Sequence, residues 1–139
     1  MKNEIRNVNP FHETIKNKKI VGRRITEVIL GFAKSLVPLV KEGTKKRTYR
    51  LVQKYAFLQS GDRLIAEDSS AHIPFAEIEI IGVSRMSFSD LPIDCHGHEI
   101  YASKSEQREI FERLYKRAVD DTEPVLIIEF KVLKLLPSQ

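Results

Sequence analysis

The order of elements legible in the sequence predicts an α+β domain, built as a small mixed barrel with a helix packed at its side. Three observations carry this expectation. A β-branched, mostly apolar run from Ile25 to Phe32 precedes a short helical pattern, Ser103-Lys104-Ser105-Glu106 opens a longer one, and Val125 to Leu133 then alternates as a strand. The order strand, helix, several strands, helix, strand shows no regular βαβ alternation and no internal repeat, which argues against a doubly wound sheet.

The first 24 residues are polar, rich in Asn and Lys and broken by Pro10, and form a basic N-terminal extension to a domain expected over 25–139. Phe11, Ile15, Ile20 and Val21 are the residues able to pin it to the body, and a basic arm that orders on nucleic acid is the other reading. After the strand Ile25–Phe32, Ser35 stands where an N-cap would, Pro38 falls in the first turn, and Leu36, Val37, Leu39 and Val40 form an apolar stripe. Gly43 is placed as the left-handed stop, with Lys41 at the negative end of the helix dipole.

The chain then changes rhythm. If Arg47–Val52 is extended, Thr48 and Arg50 share one face while Arg47 and Tyr49 share the other, and Lys45 can swing from the turn toward either side. A hydroxyl, a guanidinium and an amine converging there make an anion or carbonyl site; a solvated basic turn is the plainer reading of the same spacing. Lys54–Leu58 has no assignable pattern. Ser60-Gly61-Asp62 signals a turn, Arg63–Glu67 a strand, and Asp68–His72 a loop. From Phe75 to Val83 the alternation puts Glu77 and Glu79 out and Ile78 and Ile80 in, with Gly82 marking a bulge or a close approach.

Residues 87–102 read as irregular. Ser103 and Glu106 then fit a capping box, with Ile110, Phe111, Leu114, Tyr115 and Ala118 at helical spacing behind it. Asp120-Asp121-Thr122-Glu123-Pro124 ends that helix. The last strand has Ile128, Phe130 and Val132 on one face against Glu129 and Lys131, and its first half is apolar on both faces, which predicts a central position.

A chain of 139 residues with 42% hydrophobic and 30% charged residues supports one domain with a real core. It contains no run of about 18 apolar residues, and its N-terminus lacks the apolar centre of a signal peptide, so a cytoplasmic protein with no membrane partner is expected. Cys95 stands alone and cannot form an intramolecular disulfide. Charge is uneven: residues 1–55 carry fourteen Lys and Arg against four Asp and Glu, whereas residues 56–139 carry nine against fifteen. A positive first part suits a phosphate-bearing partner, since cations that neutralise phosphates release counterions.

No phosphate-cradling loop, dinucleotide fingerprint, HExxH or serine elbow is present, and no cofactor is expected. Cys95-His96-Gly97-His98 invites a metal, but a tetrahedral site wants four ligands, and His72 or His12 would have to complete it from afar; no metal is expected. Glu99 reads either as an exposed acid or as a general acid/base brought across a cleft to the turn carrying Lys45 and Thr48.

Taken together, Leu30-Gly31-Phe32, Gly43-x-Lys45-x-x-Thr48-x-Arg50, Gly61-Asp62-Arg63-Leu64, Glu99-Ile100-Tyr101-Ala102-Ser103 and Val125–Phe130 resemble the ASCH domain family over roughly residues 26–134. The resemblance implies a PUA-like mixed barrel with a cleft and an RNA-related or nucleotide-related role. One branch of small bacterial proteins is similar in carrying GxKxxTxR with a distant glutamate and acts as an amidohydrolase on N4-acetylcytidine. Carried over by position, Lys45, Thr48 and Glu99 would be the catalytic set and Arg50 a substrate or structural ligand; Lys46 and Arg47 are further candidates for substrate binding, with RNA or a modified nucleoside as the expected partner. Lys46 stands where threonine is common in that branch, and the N-terminal extension has no counterpart there. Two assignments fit the chemistry: Thr48 attacks with Lys45 as base, or Glu99 activates water directly.

Overall fold

The computed structural model describes residues 22–137. Five strands form one mixed sheet in the order β1-β3-β4-β5-β2, curled into a half-barrel: β1 Leu30–Phe32, β2 Arg47–Leu51, β3 Arg63–Asp68, β4 Ile73–Ser87 and β5 Pro124–Leu135. Helix α1 spans Val37–Glu42 and α2 spans Lys104–Tyr115. A short helix after the first strand and a longer one before the last are thus where the sequence places them, in an α+β PUA-like fold.

β1 and β3 run parallel, and the remaining neighbours are antiparallel. The first strand is shorter than its β-branched composition suggests. Arg24 bridges to Arg63 and Leu30 aligns with Ala66, so six residues on one side span three on the other. The surplus between them loops out of the ladder, which leaves Ile29 40% exposed. Residues 1–21 of the expected extension lie outside the described residues. Its last part is tied to the body: Arg23 forms a charge-assisted pair with the buried Asp62 at 2.7 Å.

Ser35 does not cap α1. A 3-10 turn over Lys34–Leu36 precedes the helix, Leu36 takes the cap position with no side-chain hydrogen bond, and Pro38 in the first turn reduces the number of amides needing a partner. The helix stop is as the sequence indicates. Gly43 adopts φ 86°, and the amides of Thr44 and Lys45 both return to the Leu39 carbonyl, satisfying the end of the helix while turning the chain into β2.

In β4 the ladder shifts register between Ile80 and Gly82, the bulge that Gly82 signals. Glu77 faces away from Ile78 as expected, yet it is buried, because Arg63 and Arg24 lie across it at 3.5 and 3.7 Å. β4 also runs on to Ser87, into the stretch that reads as irregular. Ser103 caps α2 by accepting from the Glu106 amide, while the Glu106 carboxylate takes the amide of Ala102 and not that of Ser103. The inward stripe of α2 is Gln107 and Phe111, flanked by Tyr115. Leu114 is 69% exposed, and the helix ends at Tyr115, a turn before Ala118.

β5 lies between β4 and β2 and serves two cores. Leu126, Ile128 and Phe130 point into the half-barrel with Phe32, Ile78 and Ile80. Val125 and Ile127 point the other way, where Tyr49, Leu51, Phe88 and Phe111 pack α2 against β2. No helix among the described residues is long and apolar enough to cross a membrane.

Ile128 is fully buried and Lys131 lies exposed on the same strand. Ile128→Ala is expected to lower the unfolding free energy by about 2–5 kcal/mol, read from urea midpoints, and Lys131→Ala by less than about 0.5 kcal/mol. Equal losses would show that the inner face of β5 is not the core.

Candidate functional site

The site forms where two distant segments meet at the free edge of β2. One is the turn from α1 into β2; the other is the loop between β4 and α2. Gly97, at φ 83°, presents its carbonyl to the amides of Lys46 at 2.7 Å and Arg47 at 3.0 Å, and the Arg47 guanidinium also donates to the His96 carbonyl. A side chain at position 97 would come within 2.9 Å of that guanidinium and would be strained at this φ. Farther along, Lys104 on α2 reaches back to the carbonyls of Phe88 and Leu91, and Gln107 donates to that of Pro92, so the start of the loop is held as well.

This docking brings Glu99 to Lys45. Lys45 Nζ donates to Glu99 Oε1 at 2.8 Å and to the carbonyl of Arg47 at 2.6 Å, with its side chain 3% exposed. His98 Nδ1 lies 2.8 Å from the same Oε1 and is hydrogen-bonded to the backbone carbonyl of Glu99 at 3.0 Å. Burial pushes the Lys45 amine down from its usual range, and the carboxylate beside it offsets this only in part. Burial pushes Glu99 up, but the hydrogen bond from His98 and the charge of Lys45 outweigh it and hold the carboxyl at about 2. The resting pair is therefore ionic.

Thr48 is buried on the inner face of β2. Its hydroxyl accepts from Arg50 Nε at 3.0 Å, so the two residues share a face as strand alternation requires. The rest of the Arg50 guanidinium is occupied: it donates to the Tyr55 hydroxyl at 3.2 Å and to the Gly31 carbonyl at 2.8 Å, and it lies over the Phe32 and Tyr55 rings. Gly31 belongs to β1 at the far end of the sheet order, so this side chain spans the open seam of the half-barrel. The Arg50 charge also reaches Lys45, where it adds to the downward push.

The structure thus joins Lys45 directly to Glu99, and Thr48 to Arg50; among the described residues no hydrogen bond links Thr48 to either member of the ion pair. Lys46 is exposed beside the turn, whereas Arg47 is partly taken up by the His96 carbonyl and by Glu129 at 3.8 Å. The loop histidines have other roles than the metal pattern suggests. His98 serves Glu99, Cys95 donates to the His96 carbonyl, and His72 pairs with Glu67 at the β3–β4 turn. Sequence reasoning weighed His98 as a metal ligand and not as a partner of Glu99. Its adjacency to Glu99 was the available signal, but which neighbour the ring would turn to depends on the turn at Gly97.

No family model and no curated protein matches the chain. Solved structures do. An Enterococcus faecalis protein described with the family model DUF984 aligns with a TM-score of 0.62 at 18% identity, covering 77% of this chain and 76% of that one. An ASCH domain from Lactobacillus crispatus aligns with a TM-score of 0.56 at 17% identity, covering 75% and 79%. A single-residue variant of ZmASCH from Zymomonas mobilis aligns with a TM-score of 0.57 at 12% identity, covering 80% and 73%. At these identities the likeness establishes a shared fold.

A carboxyl held below its ordinary value favours the folded state when ionised. That contribution is complete above the ordinary value of 4.5 and is lost as pH falls toward about 2. Glu99→Gln is accordingly expected to lose less Tm than the wild type between about pH 5 and pH 2.5, followed by circular dichroism. Parallel losses would show that the ion pair adds nothing to acid sensitivity.

Proposed function

We propose that this chain, built on the fold of the ASCH domains, is an ASCH-family hydrolase that takes a modified nucleoside or RNA at the Lys45, Thr48 and Glu99 site and removes the acetyl group of N4-acetylcytidine. The observation that carries the reading is the 2.8 Å pair between a buried amine and a carboxylate, with the amine three residues before a hydroxyl whose oxygen is bound by a guanidinium. Such a pair can store both protons that amide hydrolysis moves. When a bound nucleoside displaces water, the ionic form loses solvation, and transfer of one proton from Lys45 Nζ to Glu99 leaves a neutral amine beside a carboxylic acid.

The amine then takes the Thr48 proton as Oγ1 attacks the acyl carbon, and the acid protonates the departing N4 as the C–N bond breaks. Water, deprotonated by the Glu99 carboxylate, cleaves the acyl-threonine. The Lys45 proton returns to Oγ1 as acetic acid leaves, and the Glu99 proton passes back to Lys45 to restore the ionic pair. Arg50 supports Thr48 as the nucleophile over a water activated directly by Glu99. Because its Nε–H occupies a lone pair of Oγ1, the hydroxyl hydrogen is left for a base, and the guanidinium charge stabilises developing alkoxide. A cytoplasmic place of action goes with this reading.

A non-catalytic RNA-binding role is favoured by a different observation, the exposed cations Lys41 and Lys46 on either side of the turn. That reading requires RNA affinity that falls steeply with salt and no product from acetylated nucleosides.

Lys45→Ala and Thr48→Ala are each expected to cut deacetylation of N4-acetylcytidine by about a thousandfold or more, followed by absorbance and mass, with the circular dichroism spectrum retained. Undiminished turnover in either variant removes the mechanism.

A further inference from the structure

Glu99 has two oxygens, and the fold treats them differently. Oε1 receives Lys45 Nζ at 2.8 Å and has His98 Nδ1 at the same distance. Among the described residues no donor reaches Oε2, and the side chain keeps 27% exposure. His98 Nδ1 also lies 3.0 Å from the backbone carbonyl of Glu99. Both neighbours of Nδ1 are acceptors without a proton to give, so Nδ1 itself must carry the hydrogen, which fixes the tautomer whenever the ring is neutral. The ring is 4% exposed and stacks on Tyr49 with centroids 3.8 Å apart and planes 11° apart, while Tyr101 flanks it at 5.8 Å. Tyr49 is a buried residue of β2 packed in the second core. The plane of the imidazole is therefore set by the strand that carries Thr48.

We infer that His98 is the positioning residue of this site: its Nδ1–H, bound to the Glu99 backbone carbonyl and 2.8 Å from Oε1, fixes the carboxylate so that Oε2 is left as the oxygen that takes the proton of the attacking water. The inference rests on the reading of Glu99 as the proton-transfer group. A glutamate on a loop has three rotatable bonds, and the Lys45 donor and the adjacent imidazole on one oxygen remove that freedom before substrate arrives. The groups facing the imidazole are the Glu99 carboxylate with Lys45 beyond it and the phenols of Tyr49 and Tyr101, with the Cys95 thiol against the same phenol and Arg47 at the base of the turn. After burial, which acts upward, the His98 hydrogen bond is the strongest influence on the Glu99 carboxyl.

The test compares His98→Ala with His98→Asn in the full chain. The asparagine amide reaches about where Nδ1 stands, so it keeps the donor and loses the ring. Two quantities are read: the titration of the Glu99 side-chain carbon by NMR, and kcat and KM on N4-acetylcytidine. In His98→Ala the Glu99 midpoint is expected to rise by about one unit or more, and kcat to fall about tenfold with KM shifted less than about threefold. His98→Asn should recover much of both. Should His98→Ala fail to fold, His98→Gln replaces it, since its amide sits one bond too far along and the expected order against His98→Asn is unchanged. An unmoved Glu99 midpoint overturns the inference, and so does wild-type kcat in His98→Ala. A raised midpoint in a protein whose wild type turns over no acylated nucleoside upholds the positioning role and ends the hydrolase reading.

Discussion

The carbonyl of Gly97 is the join on which the candidate site depends. Lys46 and Arg47 stand at the start of an edge strand, where amides on the open side have no ladder partner, and both are satisfied by that one oxygen. On the other side of the same segment the Lys46 carbonyl accepts from Phe130 in β5. The turn is thus stitched on one side to the central sheet and on the other to a loop some fifty residues away in the chain. Only glycine supplies this at low cost, because the loop must turn at φ 83° to offer its carbonyl where Arg47 already fills the space. His98 and Glu99 follow immediately, so the bond that docks the loop also sets the aim of both side chains.

What the docking achieves is electrostatically unfavourable as a means of stability. Burying an amine and a carboxylate together recovers through their attraction little more than desolvation removes, and an apolar pair of the same volume would serve a fold as well. Here the amine is driven down and the acid held down, so the free energy separating the ionic pair from the neutral pair is made smaller on one side and maintained on the other. The three residues that sustain this balance, Lys45, His98 and Glu99, come from the place where the turn into β2 meets the loop before α2.

Most of the architecture was legible because local signals and burial agree. Gly43 stops α1, Ser103 starts α2, Gly82 marks the bulge, and the two-sided apolar half of β5 proves central. Departures have local causes. The strand expected from Ile25 is interrupted because two pairing points on β3 are closer together than the residues that must reach them. Ser35 is displaced from the cap by a 3-10 turn, and Glu77 is covered by arginines whose reach no periodicity encodes. In the site, the shared face of Thr48 and Arg50 follows from alternation, but the partners of those groups do not. That Arg50 would be spent on Gly31 and Tyr55, or that His98 would lie against the Glu99 carboxylate, depends on loops meeting at distances the sequence does not specify.

Arg50 shows why fold and chemistry are hard to separate in this chain. A half-barrel has two edges, here β1 and β2, with no ladder between them among the described residues. Backbone pairing would require the edges to approach to about 5 Å; a guanidinium can span a wider gap. From β2 it reaches the carbonyl of Gly31 in β1, rests on two aromatic rings that line the gap, and uses its remaining Nε–H on the Thr48 hydroxyl. The seam is thus bridged by one side chain. Because that side chain is also the hydrogen-bond donor to Thr48, the hydroxyl is oriented by the same residue that bridges the seam. A longer or shorter residue at this position could not hold the one without releasing the other, and lysine, with a single nitrogen, cannot satisfy Gly31, Tyr55 and Thr48 in a fixed plane.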